Sequence, residues 1–268
     1  MASLFTLMPA GAGPIPLERL EAAADTEDVL VDCLIDEELY WLRTGTADVD
    51  PVYDEPYLSG LAAEARRSAI DSGLRALMAK GMVDVDPDDT SAVKVLGVYG
   101  LLSECRSQAR SVTRVLLEVR DEAPIRYAFH RISDTLVLVE EVSEDGFHDF
   151  TFQSLDSAAA SLSSIFDRRR TAGAESGRHI RGSSAEDLEP SPEGLRAAAA
   201  HVVTLTSKGT AVDGGTRELA MTVFGMADGV WAHWVEPQPR RVHVMAQAGS
   251  PDLFVLAADA IAGRTSSR

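Results

Sequence analysis

The sequence TRVLLEVR at residues 113–120 opens the stretch that decides the fold, residues 113–166. Apolar side chains occupy every second position in it and charged side chains occupy most of the others. The apolar set is Val115, Leu117 and Val119, and the charged set is Arg114, Glu118 and Arg120. This period of two predicts a β-strand with one buried face.

Working outward, three more strands are predicted at residues 125–132, 135–142 and 147–153, each separated from the last by a turn. A helix follows over residues 155–166, because Leu155, Leu162 and Phe166 recur at helical spacing. Such a meander of antiparallel strands with one helix covers only one face of its own sheet. The other face needs water or a second layer.

The same order of elements recurs 103 residues later, where Thr113-Arg114 corresponds to Thr216-Arg217 and His130 to His233. Strands are predicted at 218–224, 230–235 and 241–246. A helix starts at Ser250-Pro251, since serine favours the N-cap and proline the first turn. The predicted fold class is α+β, a pseudo-two-fold repeat of an antiparallel meander plus helix, preceded by a helical segment. Because His130 and His233 occupy matching positions in this repeat, we interpret them as packing residues on a sheet face.

The N-terminal part predicts helices. One covers residues 27–43, with Leu30, Cys33 and Leu34 as its apolar stripe, and one covers residues 58–80 and ends at Gly81. A third follows an N-cap within residues 89–91. Both cysteines, Cys33 and Cys105, are expected as buried free thiols.

Five segments follow from these assignments: a flexible leader (1–26), an N-terminal α/β half (27–166), a flexible linker (167–192), a C-terminal α/β half (193–263) and a tail (264–268). The linker has almost no large apolar side chain. It therefore buries too little surface to offset the entropy lost on ordering.

Charge is the strongest compositional feature, because the 268 residues carry a formal net charge of −17. Binding to nucleic acid depends on lysine and arginine contacts to phosphate, so this balance opposes it. No run of about 20 apolar residues predicts a membrane span, and no basic residue precedes the apolar N-terminus as in a secretory signal. A cytoplasmic protein that contacts no membrane is expected.

Motifs for catalysis and metal binding are missing from the sequence. There is no nucleophile elbow, phosphate-binding glycine loop or dinucleotide fingerprint. A calcium loop beginning at Asp84 would need glycine where Asp89 stands and glutamate where Val95 stands. No histidine pair has tight zinc-ligand spacing. We therefore predict no enzyme activity, no metal and no cofactor, although carboxylates brought together by folding would leave no linear trace.

Aromatic side chains give the candidate binding residues. Trp231 and Trp234 lie three positions apart in a predicted strand and so point to opposite faces; core packing of both is one interpretation and an exposed anchor the other. Phe147 stands at a predicted hairpin tip, next to His148. The predicted partner-binding residues are Phe147, His148, Trp231 and Trp234.

Two passages carry a family resemblance. Residues 34–45 (LIDEELYWLRTG) resemble the opening helix of the EspG family, and residues 73–84 (GLRALMAKGMVD) are similar to its L-x-x-R-G-L-V segment, with Lys80 in place of the arginine. The resemblance implies a pseudo-two-fold α/β fold. It also implies a cytosolic, non-catalytic chaperone of actinobacterial type VII (ESX) secretion that holds the tip of a helical PE–PPE pair.

The leading hypothesis is therefore a binding protein for a helical secretion substrate, with a homodimer possible. One alternative is a transcriptional regulator whose residues 27–86 form a winged-helix-like DNA reader. Residues 1–100 hold 19 acidic and 7 basic residues, which opposes that alternative. A small-molecule enzyme or sensor on the duplicated fold is the other alternative.

Overall fold

The computed structural model describes residues 2–3, 16–42, 55–85, 93–175, 177–210, 216–236 and 242–264. These residues form an α+β protein. The chain divides into two compact units: unit 1 holds Met1–Ala109 and Ile132–Ser154, and unit 2 holds Arg110–Arg131 and Leu155–Arg268.

The strands and helices are numbered in chain order. The strands are β1 (Ala2–Ser3), β2 (Val29–Ile35), β3 (Val83–Val85), β4 (Val93–Val95), β5 (Ser111–Val119), β6 (Ile125–Arg131), β7 (Leu136–Val142), β8 (Phe147–Ser154), β9 (His179–Gly182), β10 (His201–Thr210), β11 (Thr216–Met226), β12 (Gly229–Glu236) and β13 (Val242–Ala248). The helices are α1 (Leu17–Thr26), α2 (Asp36–Leu42), α3 (Pro56–Ser59), α4 (Ala63–Ala79), α5 (Gly97–Ser107), α6 (Leu155–Phe166), α7 (Pro192–Ala198) and α8 (Ser250–Ile261).

Unit 1 contains a sheet in the order β1-β2-β8-β7 and a separate β3–β4 hairpin. Its core lies on one face of the sheet, where Leu34, Leu138 and Phe150 are buried. The helices of unit 1 add Leu20, Leu39, Leu77 and Leu102 to the same core. The helices thus cover one face of β2, β8 and β7.

The helix predicted over residues 27–43 is wrong, because β2 occupies its first half. Val29 and Val31 are buried while Leu30 between them is exposed, which is the period of a strand. An irregularity in the pairing with β8 between Leu30 and Cys33 interrupts the alternation. Cys33 is exposed as a result, whereas Cys105 is buried as predicted.

The third predicted helix also begins later than expected. β4 and then Leu96 precede it, and its predicted cap at residues 89–91 lies outside the described residues. The predicted end of the second helix is confirmed: Gly81 has φ +68°, and its N–H donates to the Met78 carbonyl at 3.0 Å. A left-handed residue at this position favours glycine because it has no Cβ.

Unit 2 contains a sheet in the order β6-β5-β10-β11-β12-β13-β9, and every pairing in it is antiparallel. The predicted repeat of an antiparallel meander plus a helix is confirmed, but its second copy has four strands where three were predicted, and the predicted offset of 103 is wrong. The helices α6 and α8 start at Leu155 and Ser250, 95 residues apart. The structural counterpart of β5 is therefore β10, whereas the offset of 103 matches β5 with β11, so the alignment slipped by one strand.

The centre of the repeat lies between β5 and β10, which pair antiparallel from His201↔Val119 to Ser111↔Gly209. Each repeat helix ends against the first strand of the other copy. Ser111 of β5 donates to the Ile261 carbonyl of α8 at 2.7 Å, and His201 of β10 lies 3.0 Å from the Phe166 carbonyl of α6. The local arrangement in unit 2 is thus pseudo-two-fold.

Two segments predicted as flexible contain regular structure. β9 lies within the predicted linker and pairs with β13. The prediction of a flexible linker considered only the burial of side chains, whereas backbone hydrogen bonds order β9. α1 lies within the predicted leader, and Leu20 and Ala24 anchor it in the core of unit 1. Within the described ranges, no helix is long and apolar enough to span a membrane.

Candidate partner-binding site

Among the described residues of unit 1, the turn between β7 and β8 presents the most exposed aromatic side chain. Gly146 has φ +76° and its N–H donates to the Ser143 carbonyl at 3.2 Å. The N–H of Phe147 donates to the Ser143 hydroxyl at 3.1 Å. These bonds close a tight turn and leave the Phe147 side chain 50% exposed at the start of β8.

Asp36, the first residue of α2, connects this turn to α3. Its N–H donates to the Gly146 carbonyl at 3.0 Å, and its Oδ2 accepts from the N–H groups of Tyr57 and Leu58, both at 2.9 Å. A carboxylate at the start of α3 satisfies N–H groups that the helix cannot pair internally. Tyr57 therefore has a fixed backbone, and its side chain is 40% exposed.

Gly146 and Tyr57 lie in direct contact. A Cβ placed on Gly146 would lie 2.7 Å from the Cβ of Tyr57 and 2.9 Å from the Cγ of Asp36. Only glycine fits here, both for its positive φ and for this close approach. The structure thus places Tyr57 beside the residue that precedes Phe147.

His148 lies beneath the turn, completely buried between two carboxylates. Its Nε2 lies 2.7 Å from Asp36 Oδ1 and its Nδ1 lies 2.7 Å from Glu140 Oε1. Arg106 of α5 forms a two-pronged ion pair with Glu140, with both N–O distances 3.2 Å. The chain Asp36–His148–Glu140–Arg106, which we call the buried bridge, thus joins α2, β8, β7 and α5.

The charges in the buried bridge balance when His148 is protonated. Burial lowers the pKa of His148, but the hydrogen bonds to Asp36 and Glu140 raise it, and the net direction is above its usual value. Arg106 acts in the opposite direction. Two carboxylates and two cations then compensate one another, as buried charges require.

The buried bridge encloses His148 and supports the turn above it. His148 has no solvent exposure, so a dissolved substrate cannot reach its ring. The buried bridge instead fixes the backbone beneath Phe147 and Tyr57. Partly exposed aromatic side chains on a rigid support are typical anchors of protein interfaces.

The two tryptophans lie in unit 2. Trp231 packs against a buried cluster that includes Phe224 and Met245. Trp234, on the opposite face of β12, lines a cavity of about 260 Å³, and the His179 ring lies 6.0 Å from its own. Both indole rings are partly buried.

Of the four predicted contact residues, Phe147 has the exposure that a contact requires. His148 does not, since it is buried inside unit 1, and the prediction that it binds a partner is corrected on that ground. The side chain of His148 points into the core because successive residues of a strand point to opposite faces, and its neighbour Phe147 points outward. We missed Tyr57 and Asp36, and the proline of Glu55-Pro56-Tyr57, a helix-start signal, could have indicated the first.

Metal ligands are sparse in the part of the chain that the structure describes, where no group of three or more His, Cys, Asp or Glu side chains could hold an ion. His233 and His243 stack on adjacent strands, with Nε2 and Nδ1 3.3 Å apart. Burial, and then the neighbouring His243, lower the pKa of His233. Two imidazoles alone fall short of the four ligands of a structural zinc site.

No protein-family model matches the chain, and no curated protein matches it either. Among solved structures, the fold is similar to that of the Mycobacterium tuberculosis type VII secretion system chaperone EspG5, solved in complex with the PE25–PPE41 dimer. The TM-score is 0.50, and the match covers 90% of this chain and 98% of that chain with 12% identity. This likeness confirms the predicted fold class, while membership of the EspG family stays a prediction.

Proposed function

We propose that this protein is a non-catalytic binding protein that holds a helical partner, in the manner of a type VII secretion chaperone. The observation that carries the proposal is the pair of exposed aromatic side chains, Phe147 and Tyr57, fixed from below by the buried bridge. Rigid aromatic anchors lose little conformational entropy on binding and bury a large apolar area.

The fold supports the same class of function. The EspG5 structure holds a PE25–PPE41 dimer, so a fold of this kind accommodates such a partner. We propose a PE–PPE-like helical pair as the substrate of this chain, kept soluble in the cytoplasm before export. Phe147 and Tyr57 would cover apolar side chains of the partner that water would otherwise contact.

The winged-helix alternative loses support in unit 1. Arg66 of α4 pairs with Glu55 at 2.6 Å, and Lys80 after α4 pairs with Glu38. A DNA-reading helix needs such cations for phosphate, and intramolecular carboxylates hold these two. The excess of acidic over basic residues in residues 1–100 also opposes DNA binding.

The test is co-expression of the tagged chain with PE–PPE-like helical pairs from the organism that makes it. The proposal predicts a stable complex of defined stoichiometry on size-exclusion chromatography. It also predicts that Phe147→Ala combined with Tyr57→Ala weakens binding at least about tenfold, since two aromatic anchors commonly contribute more than about 1.4 kcal/mol together.

Phe254→Ala is the matched control, because Phe254 is a partly exposed aromatic residue of α8 in unit 2. Its loss should leave the affinity within about twofold of wild type. Failure of every helical pair to bind, or equal losses in the double variant and the control, would contradict the proposal.

A further inference from the structure

One face of the unit 1 sheet carries exposed apolar side chains around a pair of acids. Along β8, His148, Phe150 and Phe152 point into the core, so Phe147 and Asp149 point outward. The strand register places Ile35 opposite Phe147, and both Cys33 and Glu141 opposite Asp149. We call this surface the outer face; its members are Leu30, Cys33, Ile35, Glu141, Phe147 and Asp149.

Leu30 and Phe147 are 43% and 50% exposed, and Cys33, Glu141 and Asp149 are exposed as well. The outer face therefore faces solvent, whereas the opposite face of the same strands is buried beneath helices. Leu30 and Phe147 thus lie exposed at the two ends of this strand segment, with the two acids between them.

Among the described residues, no cation pairs with the two acids at the centre of the outer face. Glu141 and Asp149 lie directly opposite each other on neighbouring antiparallel strands, a pairing of like charges that destabilises a sheet. Strands β2, β7 and β8 contain no lysine or arginine. Desolvation, and then Asp149, raise the pKa of Glu141.

The pKa of the Cys33 thiol is shifted by the same acidic groups. Partial burial, a hydrogen bond to Asp149, and then the charges of Asp149, Asp32 and Glu38 raise the pKa of its thiol to about 11. The thiol stays protonated and donates to Asp149. The outer face is thus strongly anionic at its centre, and a cation placed there would relieve repulsion that the free chain retains.

We propose that the outer face binds a segment of the partner that presents lysine or arginine next to apolar side chains, as on one side of a basic amphipathic helix. Leu30, Ile35 and Phe147 supply the apolar contacts, and Glu141 and Asp149 accept the cation. This inference rests on the proposed function, because it names the chemistry of the same partner.

Two other occupants fit the surface less well. A second copy of this chain in a two-fold dimer would present the identical patch, so the acids would face acids. A calcium ion takes six to eight oxygen ligands, whereas two carboxylates face each other here. Electrostatic complementarity therefore favours a cationic partner segment.

The test uses two synthetic helical peptides of about 18 residues, long enough to form a helix. Both have the same leucine face; one has lysine and the other glutamine on the polar face. We expect the wild-type chain to bind the lysine peptide about tenfold more tightly than the glutamine peptide in fluorescence anisotropy at physiological salt. In Glu141→Gln/Asp149→Asn this preference should fall to about twofold or less.

The charge-matched control is Glu64→Gln/Asp71→Asn, which removes two exposed carboxylates from α4. It should retain the preference, which separates the outer face from the general attraction of a chain with net charge −17. Phe147→Ala should weaken both peptides about equally. Equal losses of preference in the two charge variants would overturn the inference.

Thermal unfolding separates this role from a structural one. Removal of a like-charge pair should raise the Tm of the Glu141→Gln/Asp149→Asn variant by about 1–3 °C while peptide affinity falls. A lower Tm would show that the acids stabilise the sheet, and would contradict the inference.

The outcomes distinguish this inference from the proposed function. If a helical pair binds through Phe147 and Tyr57 but tolerates the Glu141→Gln/Asp149→Asn change, the function stands and the inference fails. If no helical pair binds but the lysine peptide still requires the acids, the inference stands and the function fails.

Discussion

Gly146 is the residue on which the geometry of the candidate site depends most directly. Its φ of +76° is costly for any residue with a Cβ, and that Cβ would lie 2.7 Å from Tyr57 Cβ. We predict that Gly146→Ala lowers the free energy of unfolding by about 3 kcal/mol, from left-handed strain plus overpacking. Urea denaturation followed by circular dichroism measures it.

Gly81→Ala is the control for that substitution. Gly81 has a similar φ of +68°, but nothing lies within 4 Å of an added Cβ. Its loss should cost about 1 kcal/mol, the conformational part alone. Equal costs at the two glycines would show that the contact between the turn and Tyr57 does not constrain residue 146.

His148 predicts a pH dependence with a definite sign. Its pKa in the folded chain is raised, through the hydrogen bonds to Asp36 and Glu140 that outweigh burial and Arg106. The stabilisation is then fully present below the unfolded pKa of about 6.5 and is lost as the pH rises through the folded value. We expect the wild-type free energy of unfolding to fall more steeply than that of His148→Gln as the pH rises above about 6.5.

The variant itself should be less stable than wild type by about 3 kcal/mol at pH 6, because it leaves two carboxylates with one cation. Subtracting the pH profile of the variant from that of the wild type removes the contribution of other titrating groups. One of these is His233, whose lowered pKa affects stability below pH 6.5. Parallel profiles for the two proteins, measured by urea unfolding, would mean that His148 is neutral in the folded chain.

Among the elements, α8 is fixed to the sheet of unit 2 by hydroxyl groups at its C-terminal end. Thr113 and Ser207 both donate to the Ala260 carbonyl, at 2.8 and 2.7 Å, and Ser111 donates to Ile261. A helix end leaves carbonyls without their usual intrahelical partners; these hydroxyls donate to two of them, and the Ala260 carbonyl also accepts from the Gly263 N–H at 3.1 Å. We predict that Thr113→Val costs about 1 kcal/mol of unfolding free energy.

Thr204→Val is the control for this element, because Thr204 is a half-buried threonine of β10 on the opposite face of the same sheet. It should change the stability by less than about 0.5 kcal/mol. A neutral Thr113→Val in chemical denaturation would show that neighbouring hydroxyls replace its hydrogen bond.

The local pattern of apolar and polar residues predicted most of the strands and helices. Alternation in β5 and helical spacing in α6 are unambiguous, since each depends on one buried face. β2 was mistaken for a helix because the irregularity after Leu30 shifts Cys33 and Leu34 off the strand period. β9 was missed because it is ordered by hydrogen bonds to β13. A segment of four residues carries no sequence pattern that reveals such a pairing.

The candidate site was predictable in part for the same reason. Phe147 stood out because an apolar residue at a hairpin tip breaks the local pattern. The buried bridge left no such trace, because His148 and Asp36 are 112 residues apart in sequence. Folding alone brings them together, and the burial of His148 then excludes the contact role we predicted for it.

For the whole molecule, the likeness to a solved structure concerns the fold, and the charge balance concerns the kind of partner. The fold is similar to that of a chaperone solved with a helical dimer, and the net charge of −17 opposes nucleic-acid binding. A homodimer stays a prediction that light scattering tests. The central claim is that a partner contacts unit 1 at Phe147 and Tyr57.

The measurement that tests this claim most directly is hydrogen–deuterium exchange of the chain, free and bound to its purified helical partner. Exchange reports local opening of the backbone residue by residue. The account predicts added protection at residues 55–60 and 143–149 on binding, and loss of that protection in the Phe147→Ala/Tyr57→Ala variant at equal partner concentration. Protection confined to unit 2, with these segments unchanged, would contradict it.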